Sequence, residues 1–204
     1  MRIGIIGGGN VGTALAGAFA RAGHAPVLLR RDPAAPGAAP GATPSAPLAP
    51  LDGAEAYVLA TPYAAAVGAL SAVRPGAVPV IDATNPLEMG ADGLGLSIGH
   101  STSAAEEIAR ALPGLRLVKC FNTAGFGVLA EAGRFAPKPV MFAASEDDEA
   151  RALALRLAAD IGFDPVDAGP LRAARLLEAH AMLWIELAAK RGLGRDIAFA
   201  LLRA

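Results

Sequence analysis

The sequence predicts an α/β fold: a doubly wound, mainly parallel sheet with a helical appendage at the carboxyl end. Three observations carry that prediction. Short apolar runs alternate with segments of helical period over the first 168 residues. The first of those runs leads straight into a glycine-rich turn that opens a helix. After Gly169 the strand pattern stops and only helical spacing remains.

The first strand and its turn are read together. Ile3 to Ile6 is a short apolar run set against Gly7-x-Gly9-x-x-Gly12, and a helical pattern follows from Asn10 to Ala22. Gly7 permits the tight turn, Gly9 leaves no side chain where a pyrophosphate must approach, and Gly12 lets the helix pack close to the sheet. The helix N-terminus offers unpaired amides and the positive end of its dipole to phosphate. Strand, glycine turn and helix in this order are the context that a dinucleotide-binding Rossmann unit requires. Gly7, Gly8, Gly9, Asn10, Val11 and Gly12 are therefore candidate pyrophosphate contacts.

The second strand, Ala25 to Leu29, ends in Arg30-Arg31-Asp32, where the adenosine ribose should lie. A carboxylate there accepts from the 2′-hydroxyl of NAD, whereas arginine accommodates the 2′-phosphate of NADP. Arg30 and Arg31 favour NADP(H), because guanidinium forks suit a phosphate; Asp32 as a ribose acceptor is the alternative. From Pro33 to Pro50, 15 of 18 residues are Pro, Ala or Gly, which rules out a regular crossover helix and predicts a pliable or extended connector.

The parallel pattern resumes with a strand over 54–60, the turn Thr61-Pro62-Tyr63 and a helix over 64–73. Val78 to Asp82 is the next strand, closed by Ala83-Thr84-Asn85-Pro86. Both turns lie at carboxyl ends of strands, the edge where open α/β sheets bind ligands, which makes Ala60, Thr61, Pro62 and Asn85 candidate contacts. Residues 87–100 are glycine-rich without a regular pattern and read as a long loop. Ser103 to Glu106 matches a capping box for a helix over 104–112. Strands over 115–121, 140–144 and around 165–167, with a helix over 146–161, complete the sheet. This gives a nucleotide-binding domain over 1–168. Residues 169–204 form a helical segment that packs on the domain or builds a dimer interface. Its apolar stripe is Leu171, Ala174, Leu177, Ala181, Trp184, Ile185 and Ala188, with a shorter segment from Gly194 to Arg203.

Composition narrows the function. The chain has 204 residues, 53% of them hydrophobic, enough for one domain with a substantial core. A net charge of −1 gives no electrostatic case for nucleic acid or an anionic membrane. No apolar run approaches the ~20 residues that span a bilayer, so a cytoplasmic location is expected. Cys120 is the one cysteine, which excludes an internal disulfide and a thiolate metal cluster.

Three stretches together resemble the NADP oxidoreductases that depend on the deazaflavin coenzyme F420, a family similar in its amino-terminal domain to six-transmembrane metalloreductases. They are residues 2–12 with Arg30-Arg31; Ser103-Ala104-Ala105-Glu106 with Leu117 to Thr123; and Asp167 to Leu171 with Ala174 to Glu178. The resemblance implies NADP(H) on the glycine turn, Arg31 with Arg30 on the 2′-phosphate, and Asn122 and Thr123 facing a deazaflavin (F420) or flavin ring. Deazaflavin reducers carry histidine where this chain has Asn122, whereas the metalloreductase domains share its Phe-Asn-Thr run. The acceptor therefore stays open between the two rings. It also implies a homodimer.

Hydride transfer between stacked rings needs positioning more than acid-base groups. No catalytic side chain and no metal site is expected. His24 reads as a turn residue and His180 as a hydrogen-bonded core residue; His100 is the histidine to test as a proton donor. Cys120 reads as a small buried hydrophobe. An oxidoreductase acting on another small redox substrate, or a non-catalytic NADP(H)-binding module, are the alternatives.

Overall fold

The computed structural model describes residues 1–34 and 44–203. Six parallel strands form the central sheet: β1 (Arg2–Ile6), β2 (Ala25–Arg30), β3 (Ser45–Pro47), β4 (Ala56–Leu59), β5 (Val80–Asp82) and β8 (Leu117–Lys119), ordered β3-β2-β1-β4-β5-β8. Strand order reverses between β1 and β4, and the crevice at that switch point is where doubly wound sheets take dinucleotides. Between β5 and β8 the chain forms the antiparallel hairpin β6 (Leu87–Gly90) and β7 (Gly93–Leu96). A second, two-stranded parallel sheet of β9 (Val140–Ala143) and β10 (Asp164–Asp167) follows. It joins the end of β8 through paired Lys119 and Ala144 backbone bonds of 2.8 and 3.0 Å.

Helices cover both faces, as parallel strands demand. Alternating side chains feed two cores. Ile3, Ile5, Leu28, Val58, Ile81 and Val118 pack on one side with α1 (Asn10–Arg21), α4 (Phe126–Ala130) and α5 (Asp148–Asp160). Ile6, Leu29, Tyr57, Leu59, Val80 and Leu117 pack on the other with α2 (Ala66–Val73) and α3 (Ala104–Ala111). The expected N-cap is present, with Ser103 Oγ accepting from the Glu106 amide at 3.2 Å, but the Glu106 carboxylate accepts from the Ser103 hydroxyl at 2.8 Å where a full capping box would take the Ser103 amide.

Two expectations are corrected and one is made more specific. Residues 87–100 are not a patternless loop, because the turn between Gly90 and Gly93 lets four residue pairs zip into a hairpin. The Pro/Ala tract is extended at Ser45–Pro47, as expected, and there adds an edge strand to β2, a position that tolerates proline. The part of that expectation covering 35–43 lies outside the described residues. Residues 194–203 carry no regular element but strap across the molecule, with Phe199 O accepting from Val140 N at 2.9 Å.

The terminal helix α6 (Ala174–Ile185) runs on into a π turn over 186–190. Leu171, Ala174, Leu177, Ala181 and Ala188 of the apolar stripe are buried, each leucine contributing roughly 1.5–3 kcal/mol, while Trp184 and Ile185 are half-buried. No helix among the described residues is long and apolar enough to cross a membrane.

A buried ion cluster fastens the carboxyl ends of β5 and β8 to α3 and α6. Lys119 Nζ lies 2.9 Å from Asp82 Oδ2 and 2.9 Å from Glu178 Oε1, and donates to Thr84 O at 2.6 Å. All three side chains are 0–1% exposed. Glu178 also accepts from the amides of Ala104 and Ala105, so one carboxylate caps α3 and balances the ammonium. Burial pulls the Lys119 ammonium down, but Asp82 and Glu178 outweigh it and hold the pKa above the usual lysine range.

Two stability predictions follow from these contacts. Lys119→Met strands two buried carboxylates and should lower unfolding stability by about 3–5 kcal/mol in urea titrations. Asp147 caps α5 through the Ala150 amide at 2.9 Å and meets Arg116 with both oxygens. The Arg116 guanidinium, then the Ala150 amide, lower its pKa to about 2. A depressed carboxyl pKa stabilises above the unfolded value and loses that effect as pH falls through the folded one. Asp147→Asn should therefore cost stability at neutral pH, and the difference from the native chain should fade between about pH 4 and pH 2.

Candidate functional site

A cleft of about 850 Å³ opens at the switch point, lined by the glycine turn, the end of β2 and the turn after β4. Each glycine of the motif has a separate physical reason. Gly7 has φ +114°, and a Cβ there would sit 2.5 Å from Ala60 O. A Cβ on Gly12 would overlap the Gly7 carbonyl oxygen. Gly9 instead faces open space, with nothing within 4 Å of an added Cβ. The first turn-closing bond of α1 runs from Thr13 N to Gly9 O at 2.9 Å, and no side chain caps the helix. The amides ahead of that bond point out of the helix end, beside the open face of Gly9.

The adenosine end is basic. Arg30 and Arg31 line the cleft, with the Arg30 side chain laid over Gly8, where a Cβ would come 2.6 Å from Arg30 Nε. Arg31 is exposed. Asp32 also lines the cleft, but its Oδ1 already accepts from Ala34 N at 2.9 Å in a local turn. That carboxylate is thus partly committed to its own backbone, while both arginines belong to the cleft lining.

Ala60, Thr61 and Pro62 line the same cleft. Asn10, Val11 and Gly12 follow the turn into α1. The remaining candidates gather elsewhere along the carboxyl edge. Asn85 and Asn122 bind each other: Asn85 Nδ2 donates to Asn122 O at 3.0 Å, and Asn122 Nδ2 donates to Asn85 Oδ1 at 3.0 Å and to Leu177 O at 3.1 Å. Thr123 is buried, its hydroxyl 3.7 Å from Met141 Sδ.

The histidines stay apart. His24 closes the turn after α1, with Nε2 3.1 Å from Asp160 Oδ2. His100 is exposed, outside the cleft lining, with φ +60°. His180 stands edge-on between Phe142 and Phe199, and burial lowers its pKa. It is therefore an aromatic packing residue and not the hydrogen-bonded one expected. Cys120 is fully buried and burial pushes its thiol pKa up, which leaves it unreactive. Among the described residues no group of His, Cys, Asp or Glu is arranged to hold a metal.

Thr61 and Asn122, named from the sequence, share with Thr84, which was not, a feature the sequence did not show. Among the described residues, the buried side-chain polar atoms without a hydrogen-bond partner are Thr61 Oγ1, Thr84 Oγ1 and Asn122 Oδ1. They sit in the turns that follow β4, β5 and β8, at the one edge of the sheet where ligands bind. Beneath them lies the Lys119 cluster. Its sequence signal was a charge inside each apolar run, Lys119 in Leu117 to Phe121 and Glu178 in the α6 stripe, since buried charges require partners. The Tyr63 phenol, after β4, has its pKa raised by burial, then by Glu107, Glu178 and Asp82.

Residues 2–86 match a family model described as NADP oxidoreductase coenzyme F420-dependent. Among solved structures the chain is similar to a proposed F420-dependent NADP-reductase from Arthrobacter sp. FB24, at 29% identity and TM-score 0.87, with all of both chains covered. It is similar to a hypothetical protein from Sinorhizobium meliloti, at 26% identity and TM-score 0.74, covering all of this chain and 96% of that one. A reductive aminase from Aspergillus terreus in complex with NADPH and ethyl-5-oxohexanoate shares the fold alone, at 20% identity and TM-score 0.62, over 94% of this chain and 62% of that one. No match is found among curated proteins.

The glycine contrast gives a direct check. Gly9→Ala should leave the unfolding midpoint nearly unchanged yet weaken dinucleotide binding, because the new methyl enters open space at the pyrophosphate approach. Gly12→Ala should cost about 1–3 kcal/mol of stability by overpacking. Thermal melts with parallel NADPH titrations read both.

Proposed function

We propose that the chain, whose residues 2–86 match the model of the coenzyme F420-dependent NADP oxidoreductases, passes a hydride between NADP(H) and a planar deazaflavin or flavin acceptor. The observation that carries this reading is the cleft itself: an open Gly9 and uncapped helix amides at one point, two arginines at the adenosine end. When bound, the dinucleotide supplies hydride chemistry at its nicotinamide ring.

The protein's work is to bind and orient. Gly8, Gly9 and the first amides of α1 receive the pyrophosphate, and Gly7 and Gly12 keep strand and helix close enough to present them. Arg31, with Arg30 across Gly8, holds the 2′-phosphate. Ala60, Thr61 and Pro62 form the floor between the two strands that flank the switch point. The turns carrying Asn85, Asn122 and Thr123 lie beyond, toward the acceptor. Orientation by rigid turns suits a reaction whose barrier is lowered mainly by holding two rings in register.

The working unit in this reading is a cytoplasmic homodimer. Leu176 and Leu183, seven residues apart on α6, are 73% and 51% exposed and give that helix an apolar outer face.

Purified protein mixed with NADPH and either deazaflavin or flavin should oxidise NADPH, followed by nicotinamide absorbance. Oxidation only by an imine or carbonyl substrate would favour a reductase of another small molecule. Tight binding with no oxidation by any acceptor would favour a sensing module. Arg31→Ala should weaken NADPH binding by roughly 1.5–3 kcal/mol, about 10-fold or more, and leave NADH nearly unchanged, since only the phosphate contact is lost. Equal losses for both dinucleotides would remove the 2′-phosphate assignment.

A further inference from the structure

Residues 194–203 lie across the molecule without a helix or strand of their own, and a segment of that kind is held only by its individual fastenings. Two of these come from α6, one turn apart on the same face. Trp184 Nε1 donates to Ile197 O at 2.8 Å, and the His180 ring meets the Phe199 ring edge-on, with centroids 4.5 Å apart and planes at 86°. Phe199 O in turn accepts from Val140 N at 2.9 Å, at the start of β9. The ion pairs Arg134–Asp196 and Arg203–Asp164 complete the attachment, and each has a largely exposed partner, so neither contributes much.

His180 is the fastening that responds to a proton. Its ring is wedged between Phe199 of the strap and Phe142 of β9, centroids 4.5 and 5.8 Å away, and neither ring nitrogen has a hydrogen-bond partner among the described residues. The charged groups on the surrounding elements are engaged elsewhere or turned to water. β9 carries none; on β10, Asp164 pairs with Arg203 and Asp167 with Arg151. On the strap, Asp196 pairs with Arg134 and Arg195 is exposed. Along α6 and its π turn, Glu178 belongs to the Lys119 cluster, Arg175 pairs with Glu106, and Glu186 pairs with Lys190 and Arg191. No carboxylate therefore stands ready to balance an imidazolium, and burial lowers the His180 pKa. A histidine whose folded-state pKa lies below its unfolded value favours the folded contact fully above that unfolded value, about 6.5, and ever less as pH falls below it.

We propose that His180 and Phe199 form an acid-released clasp: the neutral imidazole holds the terminal strap on β9, and protonation frees it. A proton on His180 places an unpaired cation between two phenyl rings, whereas release lets the ring turn to water, so proton uptake and strap opening are coupled. The effect reaches past the strap. Its departure removes the Ile197 O partner of Trp184, whose indole rests against Gly125 at the head of α4. The loop after β8 thus loses support on one side. The cleft at the switch point shares no residue with the clasp, so the proposal stands apart from the NADP(H) reading.

Amide hydrogen exchange on the full chain tests the clasp, each rate taken relative to the intrinsic rate at the same pH. The Val140 amide reports the strap, since Phe199 O is its partner, and the Tyr57 amide, bonded to Pro79 O inside the central sheet, reports the fold as a whole. From pH 7 to pH 5 the Val140 amide should lose protection several-fold, with a ceiling of about 25-fold for one proton of reference pKa about 6.5, while Tyr57 keeps its own. His180→Phe keeps an aromatic ring that takes no proton; it should hold the strap and remove the pH dependence. His180→Gln should remove the pH dependence as well. In the native chain the His180 ring, followed by NMR, should titrate below about 6.5. The clasp is overturned by a Val140 change of less than about twofold, by an equal change in either variant, or by a parallel loss at Tyr57. It is also overturned by a His180 midpoint at or above the reference value, which would mean that the two phenyl rings hold the cation.

Discussion

One ammonium group decides how the carboxyl edge of this sheet is built. Lys119 ends β8 in a position with no access to water, and its charge is tolerable only because Asp82 at the end of β5 and Glu178 on α6 converge on it. The consequences spread outward. Glu178 can reach Lys119 only if α6 lies across the sheet edge, and in that place its carboxylate also closes the N-terminus of α3. Asp82 in turn fixes the Thr84 amide. Two strands, two helices and the turn after β5 are located by one point of charge balance.

Around that point the molecule divides its labour by chain order. The cleft at the switch point is lined entirely by the first third of the sequence, where backbone matters more than side chains: an open glycine, a helix end, two arginines. The opposite side is assembled late, from the turns after β5 and β8, and from α6. These elements are held by side-chain hydrogen bonds, Asn85 to Asn122 and Asn122 to Leu177 O. Backbone recognition suits a ligand part common to many enzymes, whereas side-chain assembly can be varied without disturbing it.

Much of this was legible in the sequence, and the reasons differ from element to element. Gly7, Gly9 and Gly12 could be assigned separate roles in advance because each role is a steric statement about a missing Cβ, and a spacing of two and three positions encodes it. The capping box at Ser103 was equally local. The β6–β7 hairpin was hidden because four glycines in 87–100 erase the alternation that marks a strand, and its pairing is decided by backbone bonds that any side chain permits. Edge strand β3 was hidden by its prolines. The ion cluster was invisible for another reason: Asp82, Lys119 and Glu178 are 37 and 59 residues apart, and nothing short of the fold brings them together. A lone lysine inside an apolar strand was the visible trace.

The end of the chain has a physical consequence of its own. Trp184 is the only tryptophan, and its ring lies against Gly125, where a Cβ would overlap the indole. Its Nε1 donates to Ile197 O at 2.8 Å, so the terminal strap and the loop after β8 meet on one ring. The tryptophan emission of the folded protein therefore arises at a single seam between two segments. A change in how the last residues lie is converted there into a change of colour, giving the molecule an internal gauge that needs no label.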